Sequence, residues 1–140
     1  MSTPVVDTME AIAELWAGLT PPDRSDLTYH HLDENEVDLE RGFRFGLPIR
    51  STAASIAADR TKTGVEWVVA AEFHLARTGR GFFDFARAVA NETSQLARAV
   101  EAVNQWPTGV QEVFVEPTDP DEQPDGAVVT FTFTILCEDS

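Results

Sequence analysis

Cysteine is almost missing: Cys137 is the one thiol in 140 residues. A lone cysteine closes no internal disulfide and builds no multi-cysteine zinc site. Cys137 ends an alternating apolar run, so it reads as a small buried hydrophobe. Long apolar runs are missing too. None approaches the roughly 20 residues needed to cross a bilayer. The start, Met1-Ser2-Thr3-Pro4, has no basic segment followed by an apolar stretch. No signal peptide is read there, and the product is expected to stay in the compartment where it is made. The catalytic signatures GxSxG, HExxH and paired CxxC are not found, nor is the DxDxDG pattern of a calcium loop. The chain is therefore expected to be no enzyme and to carry no cofactor and no metal.

Positive charge is scarce. The formal net charge is −14, and a surface of that sign repels duplex DNA and anionic membranes. Neither a membrane nor a specific nucleic-acid sequence is an expected partner. The few bases are unevenly spread. Residues 41 to 87 hold eight of the ten: Arg41, Arg44, Arg50, Arg60, Lys62, Arg77, Arg80 and Arg87. After Arg98 there is no base at all. Either the folded surface mixes these segments, or the middle of the chain docks on an acidic patch of another subunit. Such a head-to-tail contact is heterologous and leads to rings or filaments. On the second reading, the subunit-interface candidates are Arg44, Arg50, Arg60 and Lys62 on one side and Asp119, Asp121 and Glu122 on the other.

Apolar residues are plentiful, at 43%, enough for one packed interior. Val5, Met9, Ile12, Trp16 and Leu19 recur every three or four residues and predict an amphipathic helix over 4–19. Ser2 or Thr3 is placed to cap it, and Gly18 and Pro21-Pro22 to end it. Leu27, Tyr29 and His31 alternate, which suits a short strand. The acid-rich stretch from Asp33 to Glu40 reads as a loop or short edge element. Phe43, Phe45, Leu47 and Ile49 alternate with Arg44, Gly46 and Pro48, predicting a half-buried strand over 43–49. Residues 50–64 are small and polar, a long loop with a possible helical turn around 53–58. Val65, Trp67, Val69, Ala71, Phe73 and Leu75 mark the clearest strand. Thr78-Gly79-Arg80-Gly81 turns the chain. Phe82, Phe85, Val89, Leu96, Val100 and Val103 form the stripe of a helix over 82–105, with Thr93 interrupting it. Strands follow at 111–116 and 127–137, separated by an exposed loop with three prolines and five acids. The whole chain, 1–140, thus reads as a single α+β domain. Its mostly antiparallel sheet has about four to five strands, with two helices packed on one face. Alternation, rather than continuous apolar runs, says that the other face is wet or meets a partner.

Three histidines are the remaining chemistry-bearing groups. Adjacent His30 and His31 point to opposite faces if extended and do not easily share a metal. His74 lies on the polar face of the clearest strand and reads as a surface or interface group. Gly79-Arg80-Gly81 before a helix lacks the rest of a phosphate loop and reads as a turn.

The element order resembles the tail terminator proteins of long-tailed phages, also called neck or tail-completion proteins. The segments that carry the resemblance are MEAIAELWAGL, GFRFGLPI, VEWVVAAEFHLA, FFDFARAVANETSQLARAVEAV and VVTFTFTIL. The resemblance implies a hexameric ring where the tail tube ends and the head joins. Its partners are then copies of itself and other tail or connector proteins, with DNA only passing through its channel. It implies residence in the virion, and in the host cytoplasm during assembly. It transfers no functional residue, because the family has no invariant catalytic motif. An acidic channel wall fits, since it repels the polyanion and lets it slide. Two other classes stay open. One is a small-ligand-binding or enzymatic domain using His74 and Tyr29. The other is a monomeric acidic module that mimics DNA.

Overall fold

A computed structural model of the chain describes residues 3–22, 24, 26–32, 41–51 and 64–138. In order these form α1 (Pro4–Ala17), β1 (His30–His31), β2 (Arg41–Phe45), β3 (Ile49–Ser51), β4 (Gly64–Ala76), α2 (Phe82–Glu101), β5 (Val110–Pro117), β6 (Asp121–Gln123) and β7 (Gly126–Glu138). The loop expected over 33–40 and the helical turn expected over 53–58 lie outside the described residues. No helix among the described residues is long and apolar enough to cross a membrane.

The α+β class is as the periodicities predict, but the sheet is larger than four to five strands. Seven strands form one mixed sheet. Its hydrogen-bonded path is β1-β2-β4-β7-β5, with β3 beside β4 and β6 beside β7. Every pairing is antiparallel except the parallel contact of β1 with β2. The extra strands, β3 and β6, have three residues each. That is too short for a period of two to show in sequence. β6 falls inside the stretch expected to be a plain loop. It continues the edge of β5 along β7, with the Thr118 amide donating to Thr130 O at 2.8 Å between them.

β4 and β7 are the spine, paired from Gly64↔Glu138 to Ala76↔Gly126. At the end of the ladder only glycine fits at 126, because a Cβ there would lie 2.2 Å from the Leu75 carbonyl oxygen. The odd-numbered residues of both strands face one way. Val69, Ala71, Phe73 and Leu75 meet Phe133, Phe131, Val129 and Ala127 in register. The apolar stripes of α1 and α2 join these residues in one core. Trp16, fully buried at the end of α1, is its centre. Its ring lies 5.2 Å from that of Phe43 and 5.0 Å from that of Phe131, both edge-on. Its indole Nε1 donates to Leu96 O at 3.1 Å, tying α1 to α2. A large aromatic with its polar edge satisfied suits this position. Cys137 is buried as expected, and burial pushes its thiol up from the ordinary value.

One predicted strand breaks in two. Phe43 pairs with Phe73 and Phe45 with Ala71, but Ile49 pairs with Val68. One extra residue has entered between Gly46 and Ile49. A slip of one moves a side chain to the opposite face. Ile49 therefore leaves the face of Phe43 and Phe45, against the expectation that all four share it, and Leu47 lies in the break, 87% exposed. Pro48, which has no N–H to give a ladder, sits where the pairing fails.

Thr78 and Gly79 both have positive φ, 46° and 74°. These are the two central positions of the turn closed by the Arg80 amide on Arg77 O at 3.2 Å. Arg80 Nη2 donates to Ala76 O at 2.7 Å, and Arg77 Nε to Arg80 O at 2.8 Å. Both guanidinium groups lie over the Phe85 ring, at 5.9 and 5.6 Å. Gly79-Arg80-Gly81 is thus a turn locked onto α2 by its own arginines, at a favourable cation–π distance.

Candidate functional site

Two surfaces stand out, and they lie on opposite sides of the domain. The first is the open face of the sheet, formed by even-numbered residues of β4 and β7. One row runs across four strands: Ile49 opposite Val68, Val68 opposite Thr134, and Thr134 opposite Phe114. In the next row, Leu136 sits between Glu66 and Glu112. On the other side of the apolar row lie Glu72, opposite Arg44, and Glu116, opposite Thr132. Ile49 is 68% exposed and Phe114 59%. The result is an apolar strip bracketed by carboxylates.

The second surface is the N-terminal end of α2. Phe82 is 57% exposed and Phe83 73%, with ring centroids 5.4 Å apart, edge to face. Phe82 was expected in the buried stripe but is exposed, whereas Phe85, expected in the same stripe, is buried. Phe83 stands about 200° round the helix from Phe85, away from the sheet. Arg87 is one turn further on the same side and makes an exposed pair with Asp84 at 3.1 Å. Such a pair is weak and exchangeable. Beside Phe82, an apolar groove of about 400 Å³ runs between α2 and the β6 hairpin, past Ala86, Ala90, Pro120 and Glu122. Exposed aromatics next to arginines are common at protein contacts.

The residues expected to form a subunit interface are scattered. Arg44 is half-buried on the open sheet face. Arg50 is exposed on β3, opposite Trp67. Asp121 and Glu122 are exposed on β6, and Asp119 is exposed just before it. Arg60 and Lys62 lie outside the described residues. Sequence reasoning missed Phe83 and Phe114. Their signal was positional: Phe114 alternates out of phase with Val113 and Val115, and Phe83 falls off the helix stripe.

His74 and Tyr29 are not brought together. Tyr29 packs edge-on against Phe73 on the core side, and His74, the next residue, faces the open side. His74 Nε2 is buried there without a hydrogen-bond partner among the described residues. His30 and His31 are exposed, and the His31 ring rests 5.5 Å from that of Phe43. Among the described residues, no group of three His, Cys, Asp or Glu side chains is placed to hold a metal.

Tyr29 belongs instead to a buried polar network. Arg41 Nε and Nη2 donate to Glu92 Oε1 and Oε2 at 2.6 and 2.9 Å, a bidentate pair. Arg41 is 1% exposed and Glu92 2%. The Tyr29 hydroxyl donates to Glu92 Oε1 at 2.9 Å. The network clamps the segment before β1, strand β2 and helix α2 together. Burial above all, then the Glu92 charge and its hydrogen bond, push the Tyr29 phenol far above its ordinary value of 10.0. A raised folded-state value favours the neutral phenol in the fold. That stabilisation is fully present below about pH 10 and is lost as the pH rises past it, because the unfolded chain then releases the proton first. Tyr29 is the single tyrosine, so ultraviolet titration reads it alone. Tyrosinate absorbance is expected to appear only together with loss of the circular-dichroism signal. A phenol that titrates near pH 10 in the folded protein refutes the buried network.

Compared with known proteins, the sequence matches no protein-family model and no curated protein.

Proposed function

We propose that the chain is a non-catalytic assembly protein of a long-tailed phage or phage-like particle. It forms a ring at the head-proximal end of the tail, ends growth of the tail tube and joins the tube to the head. The observation that carries the reading is the placement of the exposed large hydrophobic residues. Ile49 and Phe114 lie on the open sheet face, and Phe82 and Phe83 on the helix side. Apolar patches on an otherwise highly charged surface mark contact sites. One patch makes a pair; two patches on opposite sides make a chain or a closed ring. The net charge of −14 suits a channel that DNA passes through without sticking. By the resemblance, the ring is a hexamer, its other partners are tail and connector proteins, and it resides in the virion after assembly in the host cytoplasm.

Negative-stain electron microscopy with native mass spectrometry of the concentrated protein tests this. A closed ring with a central channel is expected. A strict monomer, or a closed two-fold dimer, at every concentration sinks the reading. The groove of about 400 Å³ beside Phe82 favours a second reading, a small-ligand-binding domain. That reading predicts a monomer whose melting temperature rises with an apolar ligand.

A further inference from the structure

We propose that the acid-bracketed sheet face of one copy receives the Phe82–Phe83 end of α2 from a second copy of this chain. The proposal rests on the self-association in the reading above and adds the surfaces that make it. Three observations converge on a second copy as the occupant. The first is apolar matching. The row Ile49, Val68, Thr134 and Phe114 offers a strip that is apolar but for one threonine, and Phe82 and Phe83 are two adjacent exposed aromatics. Small Ala86 and Ala90, both exposed beside them, let a sheet approach closely.

The second observation is charge. Glu66, Glu72, Glu112 and Glu116 flank the strip, and Arg44 is the one base among them on the described strands of that face. The α2 end carries Arg80, bonded into the turn before it, and Arg87, paired with Asp84 at 3.1 Å, beside its aromatics, with Glu122 across the groove. Opposite potentials suppress like-with-like pairing of two sheet faces, which would set carboxylates against carboxylates. The third is direction. Even-numbered residues of β4 and β7 point away from the helices, and Phe83 points away from the sheet. Two copies related by a two-fold axis cannot exchange such surfaces reciprocally. The contact repeats head to tail, and it closes or runs on according to its rotation.

The test uses the full chain with Phe83→Glu and Phe114→Glu, both at exposed positions, and sedimentation velocity across a range of concentrations and salt. Circular dichroism and an unchanged melting temperature certify each fold. Each variant alone is expected to self-associate at least about tenfold more weakly than the parent. Mixed together, they are expected to form a 1:1 pair and nothing larger, since one copy keeps its sheet face and the other its α2 end. Raised salt should weaken the parent assembly and the mixed pair alike.

Variants that assemble as the parent does overturn this contact and leave the ring reading standing on other surfaces. A mixture that fails to pair while both variants are assembly-deficient also overturns it. A parent that stays monomeric, or that closes as a two-fold dimer, overturns both.

Discussion

Replacing Arg41 by alanine is expected to lower folding stability by about 3–5 kcal/mol, among the largest effects of any single substitution in this chain. The reason is what stays behind. Glu92 is 2% exposed and loses a bidentate partner at 2.6 and 2.9 Å, leaving a buried carboxylate with the Tyr29 hydroxyl as its described side-chain donor. The pair itself contributes far less than that loss suggests, because taking both charges from water offsets most of their attraction. The double replacement Arg41→Met with Glu92→Leu is therefore expected to recover most of the stability. Guanidinium unfolding at constant m-value measures both. A nearly neutral Arg41→Ala contradicts the buried pair, and a double variant as unstable as the single ones contradicts the desolvation account.

Trp16→Ala should cost a similar amount, about 3–5 kcal/mol, through a cavity where the indole met Phe43, Phe131 and Phe133. Trp16→Phe should cost less, about 1–3 kcal/mol, with the Leu96 carbonyl left without its indole donor. The difference between the two variants separates packing from the hydrogen bond. Equal losses contradict that separation, and a small loss for alanine means that α1 does not anchor on the sheet through this residue. Because Trp16 joins α1, α2 and the sheet, the parent protein should unfold as one unit, without α1 detaching first.

Both effects bear on function through the surfaces they support. Arg41 begins β2, whose far end breaks at Gly46 and throws Leu47 and Ile49 outward. Glu92 sits between Val89 and Leu96 on α2, whose first turn carries Phe82 and Phe83. Loosening the clamp between β2 and α2 disturbs the mutual placement of the two candidate docking surfaces without touching either.

Much of the fold was legible in the chain. Alternation over 65–75 and 127–137 placed the two spine strands and assigned their buried faces correctly, because a strand in a two-layer domain records its environment residue by residue. Helical spacing placed α1 and α2 for the same reason. The stripe of α2 departs from its sequence period at two points, the exposed Phe82 and the break in its middle. Phe85, Val89, Leu96 and Val100 leave a gap at 92, and the apolar spacing alone puts the break at Thr93, a small neighbour. The residue in line is Glu92, whose position in the stripe was itself the clue to a buried partner. That partner, Arg41, is 51 residues away, beyond the reach of any local period.

What the sequence determined alone were quantities that add up locally: the acidic balance, the longer elements with the inner faces of the helices and spine strands, and the α+β class. What tertiary structure decided were relations between distant segments. It chose Arg41 for Glu92, slipped the register so that Ile49 faces outward, and set the exposed aromatics of α2 on the side opposite the open sheet. Hydrophobic periodicity is a property of one segment, whereas register and ion pairing depend on which segments meet.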